Sequence, residues 1–266
     1  MRFMTPSLLK TLIPAVLTLV SSASCGLSTT APGGKVSSYG AGPKRILFIG
    51  NSLTAANDMP FFFAVLAESA KVSPLPTVDV DWAPDFALID HWNTGAPRGV
   101  IAQGKYSIVV LQQGPSSVEV NRDTLRLAAK LFSPIIRASG GMPAMLAVWP
   151  TSDRLADFDR ATESYRLAAN DVQGAMIPSG EVWRAAWRRN PALPFYSPDG
   201  LHPSALGSYA MALSLIGIIY DRSVVGLPST LRLSTGAELH IDPAIAQLIQ
   251  ESADEANRQF GSKGVP

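Results

Sequence analysis

Short apolar runs alternate with amphipathic segments along most of this chain. Runs with the length or the alternation of strands predict five strands, at residues 45–49, 77–82, 107–111, 144–149 and 175–177. Helical periodicity predicts helices at residues 59–70, 86–103, 121–138, 157–172, 181–188, 204–220 and 241–260. Gly95 and Pro97 interrupt the second of these helices, and residues 224–239 carry no regular pattern.

The alternation of strand and helix indicates the architecture. Parallel neighbouring strands need crossover connections, and helices supply them in α/β proteins. The pattern therefore predicts a three-layer α/β/α sandwich around a five-stranded parallel sheet. Sites in such sheets form outside the carboxyl ends of the strands, so we expect the chemistry just after residues 49, 82, 111 and 149.

The first 24 residues have the features of an export signal. Arg2 and Lys10 supply positive charge, and residues 12–20 form an apolar run too short to span a bilayer comfortably. The small residues that follow resemble a bacterial lipobox, although Ser22 stands where that motif prefers Leu. This resemblance predicts that Cys25 is lipidated and anchors the protein in a membrane. The alternative is an ordinary secretory signal, and both predict an exported protein, in the bacterial cell envelope or secreted.

Composition divides the rest of the chain. Residues 25–43 are rich in Ser, Thr, Gly and Pro, which predicts a flexible tether. The alternation of strands and helices extends over residues 44–222, which predicts one sizeable domain there. We expect residues 223–266 to form a C-terminal extension that packs on the same domain.

The overall composition excludes several classes of protein. An apolar share of 47% with only 16% charged residues is typical of globular proteins and argues against disorder. The formal net charge of +1, without runs of like charge, argues against nucleic-acid binding. A single cysteine excludes an internal disulfide, and the three scattered histidines show no spacing of a zinc site.

Two short motifs carry candidate chemistry. Ser52 directly follows the first predicted strand, where a helix N-terminus offers free N–H groups to a developing oxyanion; alternatively, Ser52 only caps that helix. Asp199 precedes His202 by three residues, which allows the carboxylate to orient the imidazole and leave its other nitrogen free to take a proton. The alternative for this second motif is a Pro-rich turn with a solvated histidine.

Together the two motifs resemble the SGNH hydrolase superfamily, also called the GDSL-like esterase/lipase family. Its first block, Gly-Asp-Ser or the variant Gly-Asn-Ser, corresponds to residues 50–52, and its last block, Asp-x-x-His, corresponds to residues 199–202. The resemblance extends over residues 44 to about 222. It implies a flavodoxin-like fold, a triad of Ser52, His202 and Asp199, and no metal or cofactor.

The two middle blocks of the superfamily are altered here. The resemblance implies an oxyanion hole made by the N–H groups of Ser52 and of a glycine after the second strand, where this chain has Asp85. The third donor is usually an Asn after the third strand. This chain reads Gln112-Gln113-Gly there, so we assign Gln113 as the donor, with Gln112 and Ser116 as alternatives that would line the substrate.

The substrate and the reaction stay open in part. Trp149 ends the fourth predicted strand, where its ring could stack on a sugar or form the wall of an acyl pocket; core packing is the alternative. The main hypothesis is an exported serine esterase acting on a small-molecule or polysaccharide O-acyl ester, with a preference for acetylated carbohydrate. An acyltransferase with the same triad is the alternative within the enzymes. A non-catalytic, surface-tethered binding lipoprotein is the alternative outside them.

Overall fold

A mixed sheet forms the centre of the protein, whose structure is a computed structural model that describes residues 37–40 and 42–265. Its seven strands, in chain order, are β1 (Ser37–Tyr39), β2 (Lys44–Gly50), β3 (Pro76–Trp82), β4 (Ile108–Leu111), β5 (Met142–Leu146), β6 (Ala175–Ile177) and β9 (Ser262–Lys263). Their spatial order is β1-β3-β2-β4-β5-β6-β9. The five inner strands are parallel, as predicted. Two antiparallel edge strands, β1 and β9, were not predicted.

The α-helices of the described residues are α1 (Ser52–Ala55), α2 (Met59–Ser69), α3 (Leu88–Thr94), α4 (Ala96–Ala102), α5 (Glu119–Ala138), α6 (Phe158–Asp171), α7 (Ser179–Arg189), α8 (Ala205–Tyr220) and α9 (Pro243–Phe260). All of them except the short α1 belong to one of two groups. Helices α2, α7, α8 and α9 contact one another, and so do α3, α4, α5 and α6. The sheet with its flanking helices confirms the predicted α/β class. No helix within these described residues is long and apolar enough to cross a membrane.

Several predicted boundaries differ from the structure. The predicted helix at 86–103 is two helices, because Gly95 adopts a φ of +79° between them. Helix α5 begins at Glu119, two residues before the predicted start, so Asn121 lies in its first turn. The fourth strand ends at Leu146, and the chain continues without strand pairing through Trp149. Residues 224–239 were predicted to be irregular, but part of this stretch pairs in a small hairpin, β7 (Thr230–Arg232) with β8 (Glu238–His240).

Both ends of the described chain pack on this core. Strand β1 pairs with β3, so the last part of the predicted tether is a strand. At the other end, α9 packs against α7 and α8, and its first turn is capped by Asp242, whose carboxylate accepts from the N–H groups of Ala244 and Ile245. The predicted export signal, Cys25 and most of the tether lie outside the described residues.

The connections fix where a site can form. From β2 the chain moves to β3 on one side of β2, and it then crosses over to β4 on the other side. Such a change of direction opens a crevice beyond the carboxyl ends of the two central strands. The segments that follow β2, β3 and β4 begin at this edge, and they contain Ser52, Asp85 and Gln113 respectively.

Candidate active site

Ser52 is the first residue of α1, immediately beyond the central strand β2. Residues 46–49 of that strand are fully buried, so the strand end is firmly positioned. Asn51 caps the short helix, because its side-chain oxygen accepts from the Leu53 N–H at 3.1 Å. Among the described residues, none accepts a hydrogen bond from the Ser52 N–H. The hydroxyl and the free N–H of Ser52 therefore lie together at the helix start.

Gln112 holds residues 50–52, which we call the Ser52 turn. Its Oε1 accepts from the Asn51 N–H at 2.9 Å and from the Thr54 hydroxyl at 2.7 Å. Its Nε2 donates to Asn51 Oδ1 at 3.0 Å and to the Gln113 carbonyl at 2.6 Å. A Cβ on Gly50 would lie 2.5 Å from Gln112 Oε1, so the close approach of the Gln112 amide to residue 50 requires glycine there. Gln112 is buried and does not line the pocket beside Ser52, so the prediction that it contacts substrate is wrong.

His91 supports the same turn from α3. Its Nε2 lies 2.8 Å from the Gly50 carbonyl, to which it donates. Burial lowers the pKa of His91 and raises that of Asp81, whose carboxyl oxygen lies 4.0 Å from the other ring nitrogen. Because His91 lies inside a helix with no nearby motif, its position in the sequence contains no signal for this contact.

Ser52, His202 and Asp199 form a hydrogen-bonded row. The Ser52 hydroxyl lies 2.9 Å from His202 Nε2, and His202 Nδ1 lies 2.6 Å from Asp199 Oδ2. The other oxygen of Asp199 accepts from the N–H groups of Leu201 and His202 at 2.9 and 3.0 Å. These backbone hydrogen bonds and the imidazole lower the pKa of Asp199 to about 2, so the carboxylate stays ionised beside His202.

Trp149 supports the segment that carries His202. Its indole Nε1 donates to the carbonyl of Leu201, the residue before His202, at 2.9 Å. Its ring stacks on Trp183, with centroids 3.5 Å apart, and the residue is fully buried. The predicted role of Trp149 in lining the substrate is therefore wrong. A large aromatic side chain at a strand end can face either a pocket or the core. Here Trp149 packs in the core, against Trp183.

A pocket of about 320 Å³ opens beside Ser52, and larger cavities, of about 360, 580 and 790 Å³, lie elsewhere among the described residues. Apolar side chains and uncharged polar groups form most of its wall. The lining residues are Asn51, Ser52, Leu53, Asp85, Phe86, Ala87, Gln113, Gly114, Pro115, Ser116, Asn121, Thr124 and Leu201. Of the residues predicted to lie near substrate, Asp85, Gln113 and Ser116 do line this pocket.

Asp85 lies in the turn after β3, at one side of the pocket. Its φ of +58° is in the left-handed region, where glycine is unstrained and Asp is one of the better-tolerated side chains. This turn is connected to the Ser52 turn by two hydrogen bonds: Asn51 Nδ2 donates to the Phe86 carbonyl at 3.1 Å, and the Ala83 N–H donates to the Gly50 carbonyl at 3.2 Å. No described residue accepts from the Asp85 N–H.

Gln113 lies on the opposite side of the strand end from Gln112. Its Oε1 accepts from the Leu88 N–H at 3.1 Å, which fixes the orientation of the amide. Its Nε2 donates to the Ser116 hydroxyl at 2.9 Å and, over a longer 3.3 Å, to the Asn121 carbonyl. Gln113 thus presents a donor at the pocket wall that is already hydrogen-bonded within the protein.

Several pocket residues, Phe86 and Asn121 among them, had no predicted role at the site. Phe86 and Asn121 both line the pocket, but Phe86 stands in a predicted helix and Asn121 resembles an N-cap. An aromatic residue just beyond a strand end and an amide at a helix start are weak signals that both fit ordinary structural roles. Only the three-dimensional arrangement places them beside Ser52.

The row of three side chains has the geometry that acyl transfer through a serine requires. An imidazole within hydrogen-bond reach of a hydroxyl can take its proton, and a carboxylate on the other ring nitrogen fixes the tautomer and stabilises the imidazolium. Free N–H groups at the start of α1 and in the Asp85 turn can stabilise negative charge on a bound carbonyl oxygen. Among the described residues, no group of three or more His, Cys, Asp and Glu side chains could hold a metal ion.

Solved structures resemble this fold, although no protein-family model and no curated protein matches the sequence. A DUF4886 family protein from Bacteroides uniformis has 18% identity and a TM-score of 0.68, over 81% of this chain and 95% of that chain. A candidate SGNH hydrolase from Slackia heliotrinireducens has 26% identity and a TM-score of 0.53, over 65% of this chain and 96% of that chain. A catalytic mutant of an acetylxylan esterase from Geobacillus stearothermophilus has 14% identity and a TM-score of 0.50, over 66% and 94%. These likenesses agree with the first and last sequence motifs, and the fold of this chain is similar to that of SGNH hydrolases.

Proposed function

We propose that this protein is a serine ester hydrolase in which Ser52 is the nucleophile, His202 the general base and acid, and Asp199 the residue that orients His202. The observation that supports this most strongly is the unbroken row from the Ser52 hydroxyl through both ring nitrogens of His202 to the Asp199 carboxylate, with distances of 2.9 and 2.6 Å. Neither alternative for the two motifs, a capping serine and a solvated histidine, requires such a row.

The reaction would proceed in two steps. Ser52 Oγ attacks the ester carbonyl carbon while His202 Nε2 takes the hydroxyl proton. The tetrahedral intermediate then collapses, the bond to the alcohol oxygen breaks, and His202 returns the proton to the departing alcohol. In the second step water attacks the acyl-enzyme and gives its proton to His202. That proton passes to Ser52 as the carboxylic acid leaves.

The oxyanion would be stabilised by the N–H groups of Ser52 and Asp85 and by the side chain of Gln113. Both N–H groups lie at the pocket, and neither has a hydrogen-bond acceptor among the described residues. Gln113 would exchange the longer of its two Nε2 bonds, the 3.3 Å contact with the Asn121 carbonyl, for the oxyanion. The shorter bond to Ser116 then keeps the amide in place.

The substrate we propose is an O-acyl ester with a short acyl group, such as an acetylated carbohydrate. A pocket of about 320 Å³ is at the small end of the range for ligand sites, and its wall mixes apolar with polar groups. The fold resemblance to an acetylxylan esterase agrees with this class. Export would bring the enzyme to such esters outside the cell.

Two matched variants test the catalytic assignment. We expect Ser52→Ala to lose labelling by a fluorophosphonate probe and to lower the hydrolysis of p-nitrophenyl acetate by about 10⁴-fold or more, because a triad nucleophile acts as a unit with its base. Ser69→Ala serves as the control, since Ser69 is exposed and donates only to the Val65 carbonyl. A series of chromogenic esters from acetyl to dodecanoyl would then identify the preferred acyl length. Undiminished hydrolysis by purified Ser52→Ala would contradict the proposal.

We also propose that the mature protein begins at Cys25 and carries lipid there. A diacylglycerol together with an N-acyl chain would anchor it firmly, whereas a single chain binds a membrane only weakly. Mass spectrometry of the native N-terminus tests this. An unmodified terminus or a free thiol at Cys25 would rule it out.

A further inference from the structure

We propose that the Asp85 carboxylate selects the charge of the substrate, so that the pocket accepts esters of neutral or cationic polyhydroxylated alcohols and disfavours esters whose alcohol carries an anionic group. This inference rests on the proposed function and concerns the side chain of Asp85, while the oxyanion role concerns only its backbone N–H. It distinguishes carbohydrate-type esters from phosphate-bearing ones, which the triad alone does not do.

Asp85 is the charged residue among those that line the pocket. The other lining residues of the described chain are apolar or uncharged polar groups. Asp199, which is not among the lining residues, is a second carboxylate and is hydrogen-bonded to His202. An anion bound in the pocket would therefore face the Asp85 carboxylate with no lysine or arginine in the lining to compensate.

The Asp85 carboxylate is also free to bind a ligand. It is exposed, and its side chain makes no hydrogen bond or ion pair with any described residue. Ionised carboxylates accept hydrogen bonds at both oxygens, so neighbouring hydroxyls of a sugar ring suit them well. The Asn121 side-chain amide, also exposed and without a partner in the described part of the chain, lies in the same wall and can both donate and accept. Together these groups fit a polyol better than a plain alkyl chain.

The backbone at Asp85 makes a clean experiment possible. With φ at +58°, Asp85→Gly removes the charge and relaxes the backbone, whereas Asp85→Asn removes the charge and keeps the size and the tolerance for this conformation. A selectivity that depends on charge must change equally in both variants. One that depends on loop shape must differ between them.

The experiment compares acetate release from three O-acetyl hexosides: a neutral one, its 2-amino derivative and its uronate, each derivative changed at one position of the neutral compound. For the parent protein we expect the ratio of kcat/KM between the amino and the uronate ester to be about 10, from one unit charge at several ångströms under a partly aqueous dielectric. In Asp85→Asn and Asp85→Gly the ratio should fall to about 1–3. Glu119→Gln is the control: its carboxylate is 81% exposed at the start of α5, outside the pocket, and the ratio should stay as in the parent.

The outcomes separate this inference from the proposed function. If hydrolysis depends on Ser52 but both Asp85 variants keep the parent ratio, the inference is wrong and the esterase assignment stands. If the ratio falls as much in Glu119→Gln, a general surface field and not Asp85 sets it, and the inference is again wrong. If the parent hydrolyses none of the three esters nor p-nitrophenyl acetate, the proposed function fails and the inference fails with it.

Discussion

Replacing Gln112 by Met should both destabilise the protein and disturb the Ser52 turn. Methionine keeps the unbranched length of the side chain but removes all four hydrogen bonds of the amide. Two donors then lose their acceptor inside the protein, the Asn51 N–H and the Thr54 hydroxyl. Thr54 is fully buried and Asn51 nearly so, so water does not readily replace the missing oxygen.

The magnitude follows from these two orphaned donors. Leaving a buried donor without a partner costs about 1–3 kcal/mol. We therefore expect the free energy of unfolding to fall by about 2–6 kcal/mol, out of a total that is about 5–15 kcal/mol for an ordinary domain. The other two partners of the Gln112 amide each keep a second hydrogen bond, because Asn51 Oδ1 still accepts from the Leu53 N–H and the Gln113 carbonyl still accepts from the Tyr165 hydroxyl.

Thr54→Val is the matched control. It removes only the 2.7 Å bond from the Thr54 hydroxyl to Gln112, and Gln112 continues to hold Asn51. The expected loss is about 1 kcal/mol. Urea denaturation followed by circular dichroism measures both variants, and ester kinetics at temperatures where both are folded should show a lower kcat for Gln112→Met alone. A loss below about 1 kcal/mol for Gln112→Met, or one equal to that of Thr54→Val, would refute the reasoning.

Three further predictions concern the other parts of the site. Gln113→Ala should lower kcat roughly a hundredfold with KM little changed, because an oxyanion donor acts on the transition state; a larger loss in Ser116→Ala would reassign the donor. Trp149→Phe should lower kcat in ester kinetics, since it frees the Leu201 carbonyl beside His202, whereas Trp187→Phe, which frees only the Leu193 carbonyl, should lose stability alone. The lowered pKa of Asp199 implies stability that is present above its ordinary pKa and is lost as pH falls towards about 2; Asp199→Asn should remove that part of the acid dependence of unfolding.

The central strands could be predicted because their sequence has one dominant signal. Residues 46–49 and 108–111 are buried on both faces, and such strands read as continuous apolar runs. The edge strands β1 and β9 and the hairpin strands β7 and β8 are two or three residues long. Segments so short show no periodicity, and they form because a neighbouring strand edge is available, which is a property of the folded sheet.

Two residues of the hydrogen-bonded row could be placed from the sequence for a related reason. Ser52 and His202 stand next to elements with clear boundaries, the end of a buried strand and the start of the long apolar helix α8. The wall of the pocket was not predictable to the same degree. Gln112 and Gln113 face opposite sides, as the alternation of an extended segment requires, but alternation alone does not say which side faces the pocket. Trp149 shows the same limit, because nothing local distinguishes a pocket aromatic from a core one.

Asn51 explains why the segments after the three central strands behave as one unit. Its N–H and side-chain oxygen both bond to Gln112 after β4, and its Nδ2 bonds to the Phe86 carbonyl after β3. The last of these bonds needs a donor, which Asn has and an ionised Asp lacks. The Gly-Asn-Ser variant of the first motif is therefore linked in this chain to its altered middle blocks: the amide of Asn51 connects the Asp85 turn and the Gln112 side chain to the segment that contains Ser52. A change in any one of these segments should therefore shift the position of Ser52, even though none of the connecting groups contacts its hydroxyl.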